Sequence, residues 1–119
     1  MNQSAATARL SQDNVRLALQ QHIGKTHGVG IGNLVFEATG EQPSMAAERR
    51  CRRIISELRE DGLPVCGTPR SGYYIAATQA ELSECCAFLR SRAMHSLKLE
   101  ARLRRVPVGD LVQQIGLDI

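Results

Sequence analysis

The chain of 119 residues has no tryptophan, two phenylalanines and two tyrosines. A core built on large rings is therefore excluded, and its hydrophobic interior must be aliphatic. No apolar run approaches membrane-spanning length, so no transmembrane helix is expected. The start, Met1-Asn2-Gln3-Ser4, lacks the basic and apolar regions of a signal peptide. The four cysteines, Cys51, Cys66, Cys85 and Cys86, form no C-x-x-C pair and no Cys/His spacing suited to zinc. They read as reduced thiols of a cytoplasmic protein, with no metal or other cofactor. His22, His27 and His95 fall on separate expected elements and no acid pair or Ser/His/Asp constellation stands out, which argues against an enzyme. The length suits one domain with a three-helix core and a small sheet.

What is present is charge of one sign in one place. The net charge is +3. Between Ser44 and Val106 there are twelve Lys and Arg against seven Asp and Glu, and in the remaining segments three against five. The cations are concentrated mid-chain, which favours a polyanionic partner there.

The first ten residues are small and polar and are expected to be flexible. Ser11 suits the N-cap of a helix reaching about Ile23, with Val15, Ala18, Leu19 and Ile23 as its apolar stripe. Residues 24–32 contain four glycines. Gly24-Lys25-Thr26 is the tail of a phosphate-binding loop, but the first glycine of that motif has no counterpart upstream, so nucleotide binding is not expected. The stretch reads as slack between helices, with room for a short strand at Val29. A second helix over 32–38, ended by Thr39-Gly40, would turn Leu34, Val35 and Ala38 inward, and Ser44 would cap a third.

That third helix is the most informative segment. Ala47, Cys51, Ile54, Ile55 and Leu58 mark one face at helical spacing, whereas Arg49, Arg50, Arg52 and Arg53 fall largely on the others. Gly62 is placed to stop it. Pro64-Val65-Cys66-Gly67 and Gly72-Tyr73-Tyr74-Ile75 then read as two strands joined by a turn over Thr68-Pro69-Arg70-Ser71. Tyr73 and Tyr74 alternate, so one is expected to pack inward.

Helix, helix, arginine-rich helix and hairpin in this order resemble the winged helix-turn-helix superfamily. Ile55-Ser56-Glu57-Leu58-Arg59-Glu60-Asp61-Gly62-Leu63-Pro64-Val65 and Gly72-Tyr73-Tyr74-Ile75 carry the likeness. They are most similar to the amino-terminal DNA-binding domain of the bacterial biotin repressor and to small phage-encoded winged-helix proteins. The resemblance covers about residues 11–77 and implies an α+β winged helix that binds double-stranded DNA, as a transcription regulator or a phage replication accessory factor. The contacting residues implied are Ser44, Glu48, Arg49, Arg50, Arg52, Arg53 and Ser56 on the helix, with Arg70 and Ser71 at the wing tip. Nothing after residue 77 resembles a biotin-ligase domain. The alternative is a winged helix serving protein interaction or dimerisation.

From Thr78-Gln79-Ala80-Glu81, a capping box, to Arg105 nothing breaks a helix. Leu82, Cys86, Leu89, Ala93, Leu97 and Leu103 form its apolar stripe. A helix this long exceeds what a small domain covers, so a homodimer through residues 79–105 is expected. After Pro107 the chain reads as a tail over 107–119. Its last residues, Gln114-Ile115-Gly116-Leu117-Asp118-Ile119, resemble the short peptide that binds the bacterial sliding clamp, with Gln114, Leu117 and Ile119 as contacts.

Overall fold

The computed structural model describes residues 3–116, divided into two compact units at Cys85 and Cys86. The fold is α+β. Helices α1 (Gln3–Arg9), α2 (Gln12–Leu19), α3 (Ile31–Thr39) and α4 (Met45–Glu60) are followed by strands β1 (Val65–Thr68) and β2 (Gly72–Ile75). The long α5 (Gln79–Arg104) and the short α6 (Val108–Gln114) complete it. No helix among the described residues is long and apolar enough to cross a membrane.

In the first unit α2 begins where its cap requires. The Ser11 hydroxyl accepts from the Asn14 amide while the Asn14 side chain accepts from the Ser11 amide, so two end groups are satisfied reciprocally. The helix stops at Leu19, four residues before the expected Ile23. The backbone from His22 to Gly24 is needed elsewhere: the Ile75 amide donates to the His22 carbonyl, and the Gly24 amide to the Ile75 carbonyl, both at 2.8 Å. Ile23 is thereby taken out of the apolar stripe and left 51% exposed.

The glycine-rich stretch is not slack. Lys25–His27 forms a 3-10 turn, and Val29 exchanges two hydrogen bonds with Tyr73, at 2.7 and 2.8 Å. In place of the short strand expected at Val29, the chain makes a single antiparallel bridge on the outer edge of β2. Glycine is required on both sides of this seam. A Cβ on Gly28 would lie 1.8 Å from the Ser71 carbonyl oxygen, and one on Gly72, at φ +73°, 2.7 Å from that of Val29.

Helix α4 is capped by Ser44, whose hydroxyl accepts from the Ala47 amide, and it buries Ala47, Cys51, Ile54, Ile55 and Leu58. Each larger side chain among them contributes about 1.5–3 kcal/mol of burial free energy. Val15, Leu19, Leu34 and Val35 from α2 and α3 complete most of this core. The amino-terminal residues, expected to be flexible, add a further layer. Helix α1 buries Ala6, and Leu10 follows it into the same cluster. Its three alanines favour a helix, but without large apolar residues they carry no periodic signal for burial, and a helix this short depends on tertiary packing.

The hairpin pairs Val65 with Ile75 through Thr68 with Gly72. Tyr74 is buried with Cys66 and Cys85 in a small second cluster, and Tyr73 packs half-buried against the main core.

In the second unit α5 ends in a left-handed cap. The Val106 amide reaches the Ala101 carbonyl at 3.0 Å and the Arg105 amide that of Arg102 at 3.2 Å, with Arg105 at φ +58° where glycine is usual. The chain then re-enters a helix. The 107–119 segment read as a tail contains α6, which buries Leu111. Pro107 stands at its N-cap, a position proline tolerates because no amide is needed there. Leu117 and Ile119, two of the expected clamp contacts, lie outside the described residues, and Gln114 is the exposed last residue of α6.

Candidate nucleic-acid interface

The arginines of α4 project from its solvent side because its apolar residues occupy the other. At about 100° per residue, Arg49, Arg52 and Ser56 lie on one line along the helix, opposite Cys51, Ile54 and Leu58, with Arg53 beside it. All four are exposed. Arg49 and Arg53 make no hydrogen bond or ion pair with any described residue. Arg52 sits 3.9 Å from the half-buried Glu48 carboxylate, a loose pair that steers the guanidinium without neutralising it. Ser56 donates its hydroxyl to the Arg52 carbonyl.

Other expected contacts have work inside the fold. The Arg50 guanidinium donates to the Leu10 carbonyl at 3.4 Å, tying α4 to the end of α1. Ser44 is engaged as the cap. At the hairpin tip the Ser71 hydroxyl is held by Thr68 at 2.8 Å and by the Gly72 carbonyl at 2.9 Å, so it shapes the turn. Arg70 is exposed there and unpaired among the described residues. The hairpin is set against α4 by Arg59, whose Nε donates to the Val65 carbonyl at 2.8 Å. The open cations are thus Arg49, Arg52 and Arg53 on one helix face and Arg70 on the turn that follows it.

Two features escape a reading of charge and spacing. Met45, 78% exposed, stands in line with Arg49, Arg52 and Ser56 at the first turn of α4. Its signal is only its i, i+4 offset from Arg49. His22 and His27, read as belonging to separate elements, share one turn. The His22 ring contacts the His27 carbonyl at 2.8 Å through Nδ1 and the Glu37 carboxylate at 2.7 Å through Nε2. The contact fixes the turn to α3.

The remaining titratable groups with shifted behaviour are structural. Burial pushes the Cys51 thiol up to about 12, which keeps it protonated and unreactive. Burial, helped by the neighbouring Cys66 and Cys85, pushes Tyr74 up to about 12. The Glu81 carboxylate is held below its usual range by the Lys25 and Ala77 amides, which donate to it at 3.0 and 2.9 Å. Among the described residues no group of three or more His, Cys, Asp or Glu is placed to hold a metal ion. No protein-family model, curated protein or solved structure matches the chain.

Proposed function

We propose that this chain is a winged-helix protein that binds duplex DNA, with α4 as the helix entering the major groove and the β1–β2 turn as the wing. The observation that carries this reading is the row of open arginines on α4, directly opposite its buried face, on a helix that runs through Gly62 into a hairpin. The order α2, Val29 bridge, α3, α4, β1, β2 supports it, because a winged helix likewise adds a strand from between its first two helices to the hairpin. In this reading Arg49, Arg52 and Arg53 meet guanine edges or phosphates, and Arg70 meets the backbone beside the groove. Glu48, Arg50, Ser44 and Ser71 shape the surface. The roles we propose for such binding are regulation of transcription or accessory work in replication.

The test is fluorescence anisotropy with a labelled duplex across a salt series. Wild-type binding weakens steeply as salt rises, since each neutralised phosphate adds about 0.9 to the slope of log affinity against log salt. Replacing Arg49, Arg52 and Arg53 together by Ala lowers affinity by roughly tenfold or more and the slope by about two to three, with an unchanged melting temperature. Arg70→Ala removes about one unit of slope. Unchanged binding by a folded triple variant rules out α4 as the contact and leaves the protein-interaction reading.

A further inference from the structure

The second unit leaves leucines open along α5. Leu89 and Leu99 are each 50% exposed and Leu103 is 77% exposed. Positions 89, 92, 96, 99 and 103 follow the alternating three and four residue spacing of a coiled-coil seam. At about 100° per residue they share one side of α5, away from Ala101, whose side chain is buried.

We infer that this side of α5 pairs with the same side of a second copy, antiparallel, with the two-fold axis at Ser96. The charge pattern selects that arrangement. A parallel, in-register pair sets Arg92 against Arg92 and Glu100 against Glu100, and both contacts are repulsive. The antiparallel pair centred on Ser96 sets Leu89 against Leu103, Ala93 against Leu99 and Arg92 against Glu100. The serine at the centre is small enough for close helix approach. Arg92 now lies over the Phe88 ring at 5.7 Å, and Glu100 holds Arg104 at 2.8 Å. Both are solvent-facing i, i+4 contacts that exchange partners at little cost. The seam is short, and residues 88–105 carry six Lys and Arg against one Glu. The pair is therefore weak and strengthens as salt screens the surplus cations, opposite to the salt response of DNA binding. The inference does not rest on the DNA reading and is tested without nucleic acid.

The experiment is sedimentation velocity on the full chain, from low to several hundred micromolar, with circular dichroism to verify folding. The weight-average sedimentation coefficient rises with concentration for the wild type. Leu103→Glu, at a position already open to solvent, weakens association by roughly tenfold or more. Arg92→Glu weakens it several-fold, and adding Glu100→Arg to Arg92→Glu restores it, because the pair is re-formed with signs exchanged. A monomer at every concentration overturns the inference, as does association unaffected by Leu103→Glu. Association of Arg92→Glu that adding Glu100→Arg does not restore overturns the antiparallel arrangement, since only there do these two positions face each other.

Discussion

The two units solve the problem of an aromatic-poor sequence differently. The first gathers aliphatic side chains from four helices and a strand into one cluster and turns its arginines outward. Beyond Cys85, the buried apolar residues among those described are Ala101 and Leu111, and leucines remain open. The same residue types thus yield a self-contained core where apolar positions recur on one side of each helix. On α5 the side that carries Leu89, Leu99 and Leu103 stays open, leaving a helix with side chains to spare. Burial is a matter of periodicity before it is one of composition.

Core substitutions separate the units most sharply. Leu58→Ala, at a fully buried site in the first unit, should cost about 2–5 kcal/mol and lower the midpoint of denaturant unfolding without changing its slope. Leu111→Ala should leave that transition in place and reduce only the helical signal of the second unit. A common loss of both units' structure in either variant would show that they do not melt separately.

Gly28→Ala comes next. The added methyl meets backbone, which cannot swing aside as a side chain would, so a loss of about 2–4 kcal/mol is expected by thermal melt. Gly30→Ala, with open space around it but at the N-cap of α3, is the matched control and should cost no more than about 1 kcal/mol.

Alkaline titration probes the first unit through its own buried groups. Cys51 and Tyr74 have folded values raised to about 12, from 9.0 and 10.0. Their contribution is complete below about pH 9 and is lost as pH rises toward 12, because the unfolded chain releases these protons first. Melting temperatures should fall over that range, less steeply in Cys51→Ala when each protein is compared with itself at neutral pH. Glu81 has the opposite sign. Its lowered value stabilises above the ordinary carboxylate range and is lost as pH falls through it.

The smallest effect belongs to the second unit. Arg105 adopts the left-handed conformation that glycine takes without strain, so Arg105→Gly should stabilise α5 by up to about 1 kcal/mol, read as a rise in helix content on heating.

What the sequence revealed followed the reach of each signal. Ser11 and Ser44 as caps, Gly62 as a stop and the hairpin strands are written within a few residues of where they act, and all are found. The inward face of α4 was legible for the same reason. Helix α1 was not, since its burial rests on Ala6 meeting elements far along the chain. The early end of α2 was hidden because β2, some fifty residues on, claims its backbone. Helix α6 was masked by Pro107 and Gly109, breakers within a helix but tolerated at its first turn. Among the interface candidates, spacing identified Arg49, Arg52 and Arg53 as exposed. It could not foresee that Arg50 and Ser71 hold the fold together.

The seam between Val29 and Tyr73 carries a kinetic consequence. An isolated two-stranded hairpin is marginal in water, and β2 gains its outer partners only when residues 22–29 arrive from across the sequence. Closing so long a loop is entropically slow compared with forming the helices. The hairpin should therefore acquire its structure after the helical core has formed, in one step with the glycine-rich turn. Hydrogen exchange during refolding should show the Tyr73 and Ile75 amides, which donate to Val29 and His22, becoming protected together with the Val29 amide and later than those within α4. Equal timing for α4 and β2 would mean that the hairpin forms as part of the folding nucleus instead of docking onto it.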